Sequence, residues 1–203
     1  MRRSIWLMTV ALAFVAACSG DEDDIGLTGR WEAVSSQSAY EFLPDGRFVQ
    51  DIQTMDGTRT RQGTYTASDG LLTLRYDEEP GAEEYRMRLA TPFWTDGDTL
   101  EMSFLSPDHD SDAIAGTWRS QLITDTRRSD GTVTTNVVEI VNEYAADGTV
   151  VEEYLINGTS DFTHARTYTV TDGAVVIDWP EQDSVTRTLR DRRLASDDYV
   201  RAD

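Results

Sequence analysis

The sequence of 203 residues predicts an all-β protein of two repeated antiparallel meanders, closed into two small barrels or into one composite barrel shared by both repeats. Three observations carry this. A Gly-x-Trp word occurs twice, as Gly29-Arg30-Trp31 and Gly116-Thr117-Trp118, each with Leu27 or Ile114 two positions before the Gly. Each word is followed by Gly-centred turns in series: Asp45-Gly46, Asp56-Gly57 and Asp69-Gly70, then Asp147-Gly148, Asn157-Gly158 and Asp172-Gly173. Between the turns apolar and polar residues alternate, and no helical period is sustained after Cys18. Asp-Gly and Asn-Gly mark hairpins because a tight type I′ turn needs positive φ at both central residues.

The N-terminus is read as a processing segment. Met1-Arg2-Arg3 is a positive start, and Ile5 to Ala17 is an apolar run of 13 residues, too short for a mature membrane span. Val15-Ala16-Ala17-Cys18 resembles the lipobox of bacterial lipoproteins, which implies that Cys18 is acylated and becomes the first mature residue. Several acyl chains would hold the protein on a bilayer, where one binds only marginally. Ser19 to Asp24 is a polar acidic tether, and Ser19 in place of an Asp after the Cys implies sorting to the outer membrane, on its periplasmic face or at the cell surface. The expected organisation is a signal peptide at 1–17, the lipidated Cys and tether at 18–25, repeat 1 at 26–106, an acidic linker at 107–113, and repeat 2 at 114–203.

Within repeat 1, Tyr40 and Phe42 precede the first turn, Phe48 and Ile52 follow it, and Leu72, Leu74 and Tyr76 follow the third. In repeat 2, Val150, Tyr154 and Ile156, then Val175, Ile177 and Trp179, take the same places. Thr64-Tyr65-Thr66 likewise matches Thr167-Tyr168-Thr169. The offset between the repeats grows from 87 at the Trp pair to 102 at the first turn pair. The extra residues fall in 124–136 and read as a longer loop or an added hairpin. Each meander is expected to have roughly seven strands, with closure removing its exposed edges.

The Gly-x-Trp openings at Gly29, Trp31, Gly116 and Trp118, with the aromatic-Asp-Gly turn and Gly63-Thr64-Tyr65, resemble the lipocalin-like domains of bacterial exported lipoproteins. That resemblance implies a barrel whose Trp residues plug the core and an Arg packed on the Trp, for which Arg88 and Arg190 are the candidates. Strand periodicity sets Arg59, Arg61 and Tyr65 on one face, and near Tyr168 it sets His164 and Arg166. If that face points inward, these groups suit a carboxylate or phosphate ligand; if Gly63 marks a bulge, or if the residues lie beyond the barrel rim, they face solvent instead.

Composition narrows the function classes. There are 37 Asp plus Glu against 18 basic residues, all Arg, for a net charge of −19, or −21 without residues 1–17. Such a surface disfavours nucleic-acid binding. A lone Cys and two His leave no basis for a disulfide framework or a metal centre, and no catalytic or cofactor motif is found. The expectation is a non-enzymatic, membrane-anchored binding module for a small apolar or anionic ligand or a partner protein. The alternative is an envelope-maintenance or assembly factor acting through protein contacts alone.

Overall fold

The computed structural model describes residues 26–34, 37–108, 113–178, 185–195 and 198–202. Cys18, the expected signal segment and tether, and Trp179 lie outside the described residues. The first repeat supplies β1 (Gly29–Ala33), β2 (Ser38–Phe42), β3 (Arg47–Thr54), β4 (Gly57–Ser68), β5 (Leu71–Tyr76), β6 (Glu84–Thr95), β7 (Thr99–Met102) and β8 (Ser106–Pro107). The second supplies β9 (Gly116–Arg128), β10 (Val133–Tyr144), β11 (Thr149–Ile156), β12 (Thr159–Thr171), β13 (Ala174–Asp178), β14 (Val185–Arg190), β15 (Arg193–Ala195) and β16 (Asp198–Arg201). Among the described residues each repeat therefore supplies eight strands, one more than the sequence suggests, because β8 and β16 are too short to show alternation.

Strands β1 to β7 form an antiparallel meander, and β16 seals it by pairing with both β1 and β7. The result is a closed eight-stranded antiparallel barrel. Its last strand comes from the far end of the chain, with Trp31 opposite Arg201 and Leu100 opposite Tyr199. The second meander, β9 to β15, receives the eighth strand of the first repeat in return. β8 pairs with β9, setting Pro107 opposite Trp118, and Leu105 exchanges backbone hydrogen bonds of 2.9 Å in both directions with Leu194 on β15. The two repeats have thus traded their eighth strands.

The extra residues of repeat 2 form a hairpin. They lengthen β9 and β10 to 13 and 12 residues around the Asp130-Gly131 turn, against 5 residues each in β1 and β2. The added part of β9 pairs with β6, from Glu84 opposite Arg128 to Ala90 opposite Ile123, and this ladder joins the two meanders into one sheet.

The repeats bury equivalent groups. Trp31 and Trp118 are 0% and 1% exposed, and each indole N–H donates to a carbonyl four residues back, Leu27 at 2.7 Å and Ile114 at 2.8 Å. A buried indole N–H needs a partner, and in both repeats the main-chain carbonyl four residues back supplies it. The Arg packed on the Trp31 ring is Arg201, 4.8 Å from the ring centroid, and its guanidinium also donates to the Gly26 carbonyl. Arg88 and Arg190 do not take this place: Arg88 pairs with Asp125 at 2.9 Å, and Arg190 lies 3.9 Å from Asp96 and from Glu101. Rings fill the interior of the first barrel, with Phe48 edge-on to Tyr76 at 5.1 Å and Tyr40 edge-on to Tyr199 at 5.5 Å. Each such pair contributes about 0.5–1.5 kcal/mol beyond its burial.

Candidate binding site at the mouth of the first barrel

The inner face of β3 runs Phe48, Gln50, Ile52, and that of β4 runs Arg61, Gly63, Tyr65. The two strands pair without a register shift, setting Phe48 opposite Gly63, Gln50 opposite Arg61 and Ile52 opposite Arg59. Gly63 is not a bulge. A Cβ there would lie 1.9 Å from the Arg75 carbonyl oxygen, so only glycine lets β4 and β5 approach this closely. Arg61 therefore keeps the inward phase of the strand. Its side chain is 10% exposed and its guanidinium covers the Tyr76 ring at 4.6 Å, while Arg59, one step nearer the turn, is half exposed at the rim.

A cleft of about 310 Å³ opens at this end, lined by Gln50, Ile52, Arg59, Arg61, Glu84, Tyr85, Arg86 and Thr126. Thr126 belongs to the added hairpin, so the second repeat forms part of the wall. Three arginines, Arg59, Arg61 and Arg86, line the cleft together with the carboxylate Glu84. Arg59 and Arg61 are both held by Glu79, on the turn between β5 and β6. Arg86 has no side-chain hydrogen bond or ion pair among the described residues. Burial raises the Glu79 pKa, but the hydrogen bonds and charges of Arg59 and Arg61 outweigh it and hold the carboxyl below its ordinary value. Beneath the arginines, Gln50 is 7% exposed and donates through Nε2 to the Tyr40 hydroxyl at 2.8 Å. Its Oε1 is buried with no hydrogen-bond partner among the described residues. Burial, reinforced by the neighbouring Tyr76 and Tyr199, pushes the Tyr40 hydroxyl well above its ordinary pKa, so it stays a neutral acceptor.

The residues singled out in the sequence divide between places. Arg59 and Arg61 meet at the mouth. Tyr65 shares their face but stands at the opposite, closed end, with its ring on Phe42 at 4.9 Å and its hydroxyl donating to the Leu43 carbonyl at 3.2 Å. Tyr168 repeats this against Tyr144 and the Ala145 carbonyl. In the second barrel His164 packs on Phe162, itself stacked on Tyr154 at 4.9 Å. Arg166 lines a shallow cleft with Thr149, Ala165, Thr167 and Asp178. Below His164 the charges are neutralised internally: Glu152 accepts from Arg187 at 2.9 Å and from Asn142 at 3.1 Å. The two barrels thus share a frame and differ at the mouth, one cationic and the other aromatic.

Gln50 and Arg86 were not singled out from the sequence. Gln50 interrupts an otherwise apolar inner face, which is a readable signal. Arg86 lies at a register shift between Arg86 and Arg88 on β6, and that irregularity overrides simple alternation. Fold and site define the chain as an all-β protein with a closed eight-stranded antiparallel barrel, further strands joined to it, and a cleft lined by arginines at the mouth of that barrel. The chain matches no family model, no curated protein and no solved structure.

Proposed function

We propose that this chain is a membrane-anchored, extracytoplasmic lipoprotein whose first barrel binds a small anionic ligand at its mouth without transforming it. The lipobox-like Val15-Ala16-Ala17-Cys18 supports the anchor. The single observation that carries the binding role is that Arg59, Arg61 and Arg86 line one cleft, in a protein whose charge is otherwise strongly negative. Glu79 pairs with Arg59 and Arg61, and Arg86, which lines the cleft beside the carboxylate Glu84 but makes no ion pair among the described residues, is the guanidinium left to meet an anion. The ring-filled core beneath disfavours a long apolar ligand, so of the two ligand classes expected from the sequence the anionic one is favoured.

The test is calorimetric titration of the mature chain with small mono- and dicarboxylates at low ionic strength. A dicarboxylate is expected to bind, and Arg86→Gln is expected to weaken it by about ten-fold or more, the cost of one charge-assisted hydrogen bond. The midpoint of thermal unfolding should hardly move, because Arg86 makes no side-chain hydrogen bond or ion pair among the described residues. Absence of anion binding, or binding indifferent to Arg86→Gln, overturns the proposal.

A further inference from the structure

The cleft at the mouth carries a negative charge beside its positive ones. On β6, Glu84 stands opposite Arg128 and Arg86 opposite Thr126 with no register shift between them, so the two side chains leave the same face of the strand. Both line the cleft. Burial raises the pKa of the Tyr40 hydroxyl and the charge of Arg86 counters it, which sets Arg86 on the side of the barrel interior. Two positions along a strand span about 6.7 Å, and neither Glu84 nor Arg86 makes an ion pair among the described residues. A carboxylate and a guanidinium side by side, each left without a salt bridge, form a clamp for a ligand that carries both charges.

The charges around the cleft also set the net charge that suits it. Arg59, Arg61 and Arg86 stand against two carboxylates, Glu84 in the lining and Glu79, which holds Arg59 and Arg61 from outside it. Three cations against two anions leave one positive charge. A plain dicarboxylate overshoots it by one negative charge, whereas a dicarboxylate that also bears an ammonium matches it. The cleft of about 310 Å³, roughly ten times the share of one water in the liquid, has room for such a molecule.

We infer that the ligand is an acidic α-amino acid, one carboxylate meeting Arg86, the ammonium meeting Glu84, and the second carboxylate meeting Arg59 and Arg61. The inference rests on the anion-binding reading above and adds to it a cationic group on the ligand. The gain is in specificity, because a ligand without the ammonium leaves Glu84 with only like charges to face.

L-Aspartate and succinate supply the comparison, since they share two carboxylates on a four-carbon frame and differ by one ammonium. Titrated into the wild-type mature chain at pH 7 and low ionic strength, aspartate is expected to bind about three- to five-fold more tightly, the scale of one exposed ion pair. Glu84→Gln should bring the two affinities within about 1.5-fold of each other by removing that pair. Glu83→Gln removes the same unit of charge one residue away, outside the cleft lining, and should keep the preference. It thereby separates a contact with Glu84 from the repulsion of a dianion by the whole acidic chain. Both glutamates are exposed, so neither change should move the thermal midpoint. Equal affinity for the two acids, a preference that survives Glu84→Gln, or one lost equally in Glu83→Gln overturns this inference while leaving the anion site standing. Failure of both acids to bind overturns the inference and the proposed function together.

Discussion

Glu79 sits between two like charges that would otherwise repel, and its own proton equilibrium reports that arrangement. Its pKa is lowered in the folded protein, so its contribution to stability is fully present above the unfolded value, about 4.5. It is lost as pH falls through the lower folded value. Replacing it by Gln removes that contribution, about 0.5–1 kcal/mol for a partly exposed ion pair. Denaturant unfolding at pH 7 and at pH 3 should show the wild type ahead of Glu79→Gln at pH 7, with the gap narrowing in acid. A gap independent of pH would mean that the carboxylate charge does not hold the pair. At this scale, much of what the sequence shows is local. Trp31 and Trp118 follow from short words, whereas the inward phase of Arg61 was left open by alternation, because Gly63 could mark a bulge, and is decided by the unshifted register of β3 and β4. Arg201 over Trp31 was not legible, because the two residues meet only through a strand pairing that spans nearly the whole chain.

At the scale of elements, hairpins between adjacent strands were legible, since each is written in a turn word and two alternating flanks. The exchange of β8 and β16 was not. Either short strand has equivalent partners in both repeats, Trp31 and Leu100 in one, Trp118 and Leu194 in the other, and no local residue type chooses between them. The β6–β9 ladder sets the two meanders side by side, so that each eighth strand can reach the opposite repeat. It follows that residues 198–201 are structural, since they close the first barrel between β1 and β7. Tyr199, 7% exposed and packed edge-on against Tyr40, contributes a large aromatic side chain to the first core. Tyr199→Ala is expected to destabilise the protein by about 3 kcal/mol, the range for losing a large core aromatic. Urea unfolding followed by tryptophan fluorescence checks this, and a loss below about 0.5 kcal/mol would show that β16 is dispensable for closure.

At the scale of the molecule, three features tie the repeats together. Each ring is completed by a strand from the other repeat, β6 and β9 share a ladder, and a buried ion pair crosses the junction. Glu101 on β7 is 0% exposed and accepts from Arg193 Nε at 2.8 Å, while the Arg193 guanidinium lies 3.9 Å from the Trp94 ring centroid. Removing one partner of such a pair strands a buried charge, which costs about 3–5 kcal/mol, so the junction resists opening. Neither repeat can unfold and leave the other intact, because unfolding the second withdraws β16 and opens the first barrel between β1 and β7. Tandem repeats of this length would otherwise be expected to melt separately when their stabilities differ. Here differential scanning calorimetry should give one transition, with calorimetric and van't Hoff enthalpies equal. Trp118→Phe, which removes the buried N–H bond to Ile114 in the second repeat alone, should lower that single transition without splitting it. A variant that melts in two steps, with the near-ultraviolet signal of the first barrel kept through the earlier one, would show that the exchanged strands do not couple the repeats.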